Sequence, residues 1–207
     1  MDAKRTAFIA MMSGLGFLLS AISLHVAPLL TAIGSQGGAA LDLSHIATFV
    51  AAIFGGPVVG AIVGFLSGIY AGYYFGYVIG GLGLLSLIGV PLGKALTGLT
   101  AGFLYKKLRI NSSSRPSMLT VPATLLSYIP ECLYTIAYFL YLVPYFYGSF
   151  FNWALILPIV IPKAWVEISV MSVLMGALAG NKGFKEFVFR FLGPPKMAQS
   201  LRLTKTE

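Results

Sequence analysis

The chain has 207 residues, of which 57% are apolar and only 10% are charged, and its mean hydropathy is +0.87. A soluble domain of this length needs a polar surface, and this composition does not supply one. The net charge of +8 does not indicate nucleic-acid binding, because most basic residues flank long apolar runs, which is the positive-inside pattern of membrane proteins.

The apolar residues fall into runs of membrane-spanning length, so we predict an all-α integral membrane protein. We expect one membrane domain over residues 1–207, a six-transmembrane-helix bundle followed by a tail. The predicted helices lie at 6–26, 44–55, 57–76, 91–107, 119–145 and 152–180, and the tail at 181–207. The glycine-rich segment 77–90 suits either an irregular outer loop or an extended start of the fourth helix.

The distribution of basic residues predicts the orientation of the chain in the cell membrane. Twelve of the fourteen lie in three clusters, at Lys4–Arg5, at Lys106–Arg115 and at Lys182–Lys205. Placing the three clusters inside makes both termini of this multi-pass protein cytoplasmic. In the tail, one helical face carries the apolar residues Phe184, Phe187, Val188, Phe191 and Leu192. This pattern predicts a short interfacial C-terminal helix on the inner membrane surface.

Small residues recur with helical spacing in the first and third predicted helices. The third carries Gly56, Gly60, Gly64, Gly68, Gly72 and Gly76, a ridge that allows another backbone to approach closely. Tight packing within one subunit explains such a ridge adequately. The first helix carries the stripe Ala3, Ala7, Ala10 and Gly14. From spacing alone, this stripe faces either the bundle or another subunit.

Few ionisable residues lie away from the termini and the basic clusters. They are Asp42, Lys94, Glu131, Lys163, Glu167, His25 and His45. A charge at membrane depth is costly, so each needs a partner or water. We expect them to converge on the outer half of the bundle. Two interpretations stay open there: contact with a ligand, or a structural network pairing Glu131 with Lys94 or Lys163, and Lys163 with Glu167. Asp42 also suits a helix cap.

Aromatic residues share the face of the fifth helix that carries Glu131. Tyr134 and Tyr138 lie deepest and suit stacking against a flat ligand, and Asn152 and Trp153 open the sixth helix at the same level. The predicted substrate-binding set is therefore Asp42, His45, Lys94, Glu131, Tyr134, Tyr138, Asn152, Trp153 and Lys163. A pocket that combines aromatic rings with a few charges suits a vitamin-sized molecule.

The sequence lacks the motifs of catalysis. The segment 89–95 only partly resembles a phosphate-binding loop and lacks its Ser/Thr, so the chain is not expected to hydrolyse ATP. One cysteine and two histidines near a loop predict neither a disulfide framework nor a metal site. We therefore expect a protein that is not an enzyme and that needs no cofactor.

Several segments together resemble a known family. Residues 41–46 and 51–64 resemble the second and third helices of S-components, the substrate-capture subunits of energy-coupling factor (ECF) vitamin transporters. Residues 93–107 are similar to the end of their fourth helix. The stripe Ala3, Ala7, Ala10 and Gly14 is similar to the face with which S-components dock on the T subunit. The Asp-x-Ser-x-Ile pattern at 42–46 resembles the riboflavin branch, in which proline follows where Ala47 stands here.

This resemblance implies a subunit that binds a vitamin or related micronutrient at its outer side, with riboflavin as the first candidate. Transport would then require a membrane-embedded T subunit and two ATPase subunits, with the lipid bilayer as the shared medium. The alternative is a stand-alone proton-coupled secondary transporter or channel that uses Glu131 and Lys163 as a proton relay.

Overall fold

The computed structural model describes residues 3–31, 42–78, 81–148 and 157–192, and within these ranges the regular structure is entirely helical. The helices are α1 (Ala3–Thr31), α2 (Ser44–Gly55), α3 (Pro57–Tyr73), α4 (Gly83–Lys107), α5 (Pro116–Ser127), α6 (Ile129–Ala137), α7 (Val143–Tyr147), α8 (Leu157–Gly180) and α9 (Lys182–Leu192). One π-helical turn, Tyr74–Val78, continues α3, and another, Tyr138–Leu142, joins α6 to α7. A single 3-10 turn, Ile110–Ser112, follows α4.

Five helical segments of the described chain are long and apolar enough to cross a membrane, where the sequence predicts six crossings. They are Ala3–Val26, Pro57–Val78, Gly83–Lys107, Pro116–Tyr147 and Leu157–Gly180. The remaining apolar helix, α2, has 12 residues. At helical rise it is about 18 Å long, whereas the hydrocarbon core is about 30 Å thick. By its length α2 therefore occupies only part of the membrane depth.

Two elements differ from the predicted ranges at prolines. The fourth helix begins at Gly83 rather than at residue 91, because Pro91 is accommodated inside α4 and the glycine-rich segment before it is helical. The predicted fifth helix is one span in three pieces. Pro130 interrupts it after Tyr128, and Pro144 follows the π-helical turn. Proline lacks an amide hydrogen and displaces the carbonyl four residues earlier, which accounts for both irregularities.

The helical segments alternate in direction between two ends of the bundle. Arg5 near the start of α1 donates to the carbonyl of Gly55 at the end of α2 (2.7 Å). Tyr147 at the end of α7 donates to the carbonyl of Leu82 just before α4 (2.7 Å). We call the end that holds Arg5 and Gly55 the basic end, because Lys106 and Lys107 also close α4 there. The opposite end, at Tyr147, is the far end.

The glycine ridge of α3 packs against the backbone of α4. A Cβ at Gly60 would lie 2.5 Å from the carbonyl oxygen of Gly98, and one at Gly72 would lie 2.8 Å from that of Ser86. A Cβ at Gly76 would lie 2.5 Å from the carbonyl oxygen of Gly83. Real side chains do not approach so closely, so only glycine allows these two backbones to meet along their length. The ridge therefore serves packing within the subunit.

The short helix α2 lies at the centre of the bundle and packs against α1, α3, α4 and α8. Its buried positions include Phe49, Ala51 and Ile53. At the basic end, Asn111 donates to the carbonyl of Ile53 (2.8 Å), and Arg5 satisfies that of Gly55. Both are carbonyls of the last helical turn, which lack intrahelical partners. Side chains therefore fix the end of α2 that lies at the basic end of the bundle. The other end of α2 carries the polar residues described below.

The C-terminal helix α9 packs on the bundle with part of its apolar face. Phe184 lies edge-on to Phe54 of α2, and Phe191 lies against Phe8 of α1. Val188 is buried between them in the core. Phe187, in contrast, is 68% exposed and points away from the bundle. Most of the apolar face that was predicted to lie on the membrane therefore packs against the bundle, and Phe187 is the part of it that does not.

Candidate functional site

A buried ion pair joins the start of α2 to the middle of α4. The ammonium of Lys94 donates to the Asp42 carboxylate and to the Ser44 hydroxyl. The second oxygen of Asp42 accepts the backbone amide of Ser44 (3.0 Å). Asp42 therefore caps the first turn of α2 and also neutralises Lys94, so the two roles considered for it are combined. Lys94 is only 3% exposed, which makes this pairing essential to its burial.

A second group of buried polar residues centres on His45, in the first turn of α2. Its Nε2 lies 3.4 Å from Oε2 of Glu131 in α6, and its Nδ1 lies 3.4 Å from Oε1 of Glu167 in α8. The first contact has hydrogen-bond geometry and the second does not. Thr97 of α4 also donates to Oε2 of Glu131. His45 thus bridges carboxylates on two different helices.

These residues form one continuous polar cluster, which contains all the buried Asp, Glu, Lys and His side chains of the described residues. We define the polar cluster as Asp42, Ser44, His45, Lys94, Thr97, Glu131 and Glu167. Ser44 and His45 lie in the first turn of α2. Because α2 is short, this turn lies inside the bundle rather than at the far end. Lys94 lies 12 residues before Lys106, about 18 Å from the basic end at helical rise. The cluster therefore lies near mid-depth, on the side of the far end.

The ion pairs within the cluster differ from those considered from sequence. Glu131 pairs with His45 rather than with Lys94 or Lys163, and Glu167 approaches His45 rather than Lys163. Spacing along one helix predicts which face a residue shares, but it does not predict which neighbouring helix lies opposite. Lys163 is half-buried on α8, and no described residue forms an ion pair with it. Lys163 is therefore not joined to the polar cluster.

The predicted tyrosines lie above the polar cluster, toward the far end. The ring of Tyr138 packs against Gly89 of α4, and a Cβ at Gly93 would lie 3.4 Å from both Tyr134 and Glu131. Gly89 and Gly93 are one turn apart, so α4 presents a bare side to α6. The hydroxyl of Tyr138 has no hydrogen-bond partner among the described residues. Asn152 and Trp153 lie outside the described residues.

An apolar groove of about 570 Å³ opens between α4 and the α6–α7 segment. We call it the α4–α6 groove. It is lined by Leu84, Leu85, Ile88, Gly89, Leu92, Tyr134, Leu142, Phe146 and Tyr147. On α4 these residues extend from the far end down to Leu92, two residues before Lys94. The groove therefore extends along α4 from the far end to Leu92, and no residue of the polar cluster lines it.

Three members of the polar cluster were not in the predicted substrate-binding set. Thr97 lies three residues after Lys94 and therefore faces the same way, a signal that the sequence already contains. Ser44 is in the same turn as His45. Glu167 was recognised as an intramembrane charge, but its proximity to His45 depends on where α8 packs. The apolar lining of the groove carries no sequence signal that separates it from lipid-facing residues.

The small-residue stripe of α1 lies on the surface of the chain. Ala3, Ala7, Ala10 and Gly14 are all exposed, and a Cβ at Gly14 would meet nothing within 4 Å. Gly16, on the opposite side of the helix, would instead place a Cβ 3.2 Å from that of Ala47. None of the described residues therefore packs on the stripe at Gly14, and the stripe stays exposed among them.

Comparison with known proteins identifies the family. The family model for the ECF transporter, substrate-specific component, matches residues 4–179, which include all described helices up to the last turn of α8. No curated protein matches the chain, and no solved structure matches it. The match covers most of the sequence and includes the polar cluster and three residues of the exposed α1 stripe, Ala7, Ala10 and Gly14. The chain belongs to the family of substrate-specific components of ECF transporters.

Proposed function

We propose that this substrate-specific subunit captures a vitamin or related micronutrient at the far end of the bundle, which faces outward. The observation that carries the proposal is the polar cluster at mid-depth, together with an apolar groove at the far end that extends along α4 to Leu92, two residues before Lys94. Buried charges at membrane depth are costly and mark functional sites by default. A concave apolar site with a few convergent polar groups is the usual form of a small-molecule pocket.

The orientation follows from the charges at the two ends. The basic end carries Arg5, Lys106 and Lys107, and basic residues are retained on the cytoplasmic side of membranes. The N-terminus and the C-terminal helix α9 lie at this end, so we place both termini in the cytoplasm. The groove then opens toward the outer side, where a capture subunit meets its substrate.

The ligand that we propose first is riboflavin or a molecule of similar shape. A groove of about 570 Å³ accommodates a molecule of vitamin size. Tyr134 lines the groove, and Tyr138 packs beside it on Gly89, so aromatic rings are available for a flat ring system. Asp42, His45, Lys94 and Glu131 supply the polar contacts below. Lys163 of α8 remains a candidate for ligand contact, as do Asn152 and Trp153 from the sequence.

We further propose that the stripe Ala3, Ala7, Ala10 and Gly14 docks on a T subunit that is coupled to two ATPase subunits. The stripe is exposed along about three turns of α1 and carries no bulky side chain. Small residues let a partner helix approach closely within lipid, where close packing drives helix association. Because the chain lacks a phosphate-binding loop, the energy for transport would come from the partner chains.

Two measurements on the purified full chain test this function. The chain in lipid nanodiscs should bind one riboflavin-sized molecule without ATP, as detected by the mass of the copurified ligand and by calorimetry. Liposomes that contain the chain alone should accumulate none of that molecule, and adding a T subunit and two ATPases should produce ATP-dependent uptake. Proton-driven accumulation by the chain alone would establish the stand-alone transporter instead.

A further inference from the structure

Both ring nitrogens of His45 face a carboxylate oxygen. Nε2 lies 3.4 Å from Oε2 of Glu131, and Nδ1 lies 3.4 Å from Oε1 of Glu167. A carboxylate oxygen only accepts hydrogen bonds, whereas a neutral imidazole carries a hydrogen on only one of its nitrogens. A neutral His45 would therefore satisfy one of these carboxylates and turn a nitrogen lone pair toward the other.

The unsatisfied atoms of this contact lie on the Glu167 side. Nδ1 of His45 and Oε1 of Glu167 are buried, and neither has a hydrogen-bond partner among the described residues. His45 is 6% exposed and Glu167 is 4% exposed, so bulk water is not their partner. Buried polar atoms without a partner are costly, and here the two atoms face each other. One proton between them satisfies both.

The charges of the polar cluster require the same proton. With a neutral imidazole, the cluster would contain three carboxylates and a single ammonium, that of Lys94. Asp42 already pairs with that ammonium. Glu131 and Glu167 would then be two negative charges at membrane depth without a compensating cation, which is costly. A second proton on His45 places a cation between them.

The groups that surround His45 in the described chain offer no other cation. Helices α1 and α3 pack against α2, and their buried polar side chains are all serines. Tyr128, which precedes α6, and Cys132 within it carry no positive charge in any protonation state. Lys163, one turn before Glu167 on α8, forms no ion pair with it. Imidazole is a stronger base than a carboxylate, so the proton belongs on Nδ1 of His45.

We propose that His45 is an imidazolium whose second proton is a resident ligand of the polar cluster and holds α6 and α8 against the first turn of α2. The proton-binding site consists of the two ring nitrogens of His45 and the facing oxygens of Glu131 and Glu167. The proton stays in this site and does not cross the membrane. This inference goes beyond the capture function, because it assigns a proton-binding site whichever molecule is captured.

Nitrogen NMR of the full chain, labelled at histidine and embedded in nanodiscs, observes the proton directly. The chain has only two histidines, so His25→Gln leaves the signals of His45 alone. An imidazolium has two protonated ring nitrogens and a neutral ring has one. A histidine in water titrates at about pH 6.5 and is neutral at about pH 8, where we expect His45 to give the imidazolium spectrum. A neutral ring at that pH would overturn the inference.

The substitution Glu167→Gln tests the partner of the second proton. The amide of glutamine can donate to Nδ1 of His45, so a neutral ring that still donates from Nε2 to Glu131 has all its partners. We therefore expect the imidazolium spectrum to be replaced by that of a neutral ring. Glu186→Gln, at an exposed position of α9, is the matched control and should keep the imidazolium. An unchanged imidazolium in Glu167→Gln would overturn the assignment of the proton to this contact.

The single cysteine of the chain reports whether the proton holds the helices together. Cys132 follows Glu131, is 8% exposed, and belongs to the same apolar core as Ile168 of α8. His45→Gln removes the cation between the two carboxylates, so modification of Cys132 by N-ethylmaleimide at one fixed pH should become about tenfold faster. His25→Gln, at the exposed histidine, should match the unsubstituted chain. Equal rates for the two variants would contradict the holding role.

Liposomes that contain the chain alone separate this inference from the capture function. A resident proton does not cross the membrane, so adding riboflavin should not change the internal pH. Internal acidification that Glu167→Gln abolishes would show that the proton travels, and it would overturn both the resident proton and capture. A neutral His45 in a chain that binds riboflavin without acidification would overturn the resident proton alone.

Discussion

Helix α4 contacts its neighbours in two different ways on the two sides of the polar cluster. On one side, α3 and α4 meet backbone to backbone, with Gly60, Gly72 and Gly76 against carbonyl oxygens of the partner helix. On the other side, α4 faces α6 and α7 through tyrosine rings, across two proline breaks and a π-helical turn. Backbone contacts cannot be adjusted, whereas side chains and bulged turns can. We call the α3–α4 contact the fixed wall and the contact of α4 with α6 and α7 the adjustable wall. Lys94 and Glu131 lie between them.

The largest expected effect is at the polar cluster, where charged residues lie between the two walls. Lys94→Met removes the cation that neutralises Asp42, so we expect a loss of about 3–5 kcal/mol of stability, the range for breaking a buried pair. Lys163→Met is the matched control, because its ammonium has no ion-pair partner in the described part of the chain. Thermal unfolding in detergent measures both. Equal destabilisation would place Lys163 in the network.

A smaller effect is expected from overpacking the fixed wall. Gly60→Ala puts a methyl group 2.5 Å from the carbonyl oxygen of Gly98, and neither backbone has space to move, so we expect a loss of about 1–3 kcal/mol. Gly14→Ala, where a Cβ meets nothing within 4 Å, should change stability by less than about 0.5 kcal/mol. The midpoint of thermal aggregation is the readout. Tolerance of both substitutions would mean that the α3–α4 contact is not fixed.

The adjustable wall should respond less to the same chemical change. Gly89→Ala places its methyl group against the ring of Tyr138, which can rotate away, so we expect a loss of only about 1 kcal/mol. Because the displaced ring lies beside the α4–α6 groove, ligand affinity should fall more than stability does. Calorimetry and thermal unfolding on one preparation compare the two. A loss of stability as large as that of Gly60→Ala would remove the distinction between the walls.

The smallest effect on the isolated chain is expected at the exposed α1 stripe. Ala10→Leu adds volume at a position that is exposed in the described part of the chain, so stability and ligand affinity should remain within about 0.5 kcal/mol of those of the unsubstituted chain. Uptake by a reconstituted transporter should nevertheless be lost, because the added side chain separates the docking helices. Met11→Leu, an adjacent exposed position, is the control. Reduced ligand affinity in Ala10→Leu would assign the stripe to packing.

The sequence was a good guide to features with a period along one helix. The glycine ridge of α3, the stripe of α1 and the apolar spans all follow from spacing, because packing faces recur every three or four residues. The assignment of partners across helices was not predictable. His45, rather than Lys94, pairs with Glu131 because of how α2 is rotated and where it begins, and spacing does not specify either. The start of α4 at Gly83 agrees with one of the two interpretations of segment 77–90, and the sequence did not decide between them because glycine and proline usually indicate a break.

The fixing of α2 at its lower end has a mechanical consequence. Arg5, which holds the Gly55 carbonyl, lies on α1 between Ala3 and Ala7. Helix α2 has 12 residues, and its other end carries Ser44 and His45. A neighbouring chain that contacts the first turns of α1 would thus act on the helix whose first turn contacts Lys94 and Glu131, and any shift of α2 would have to move the core residues packed around it.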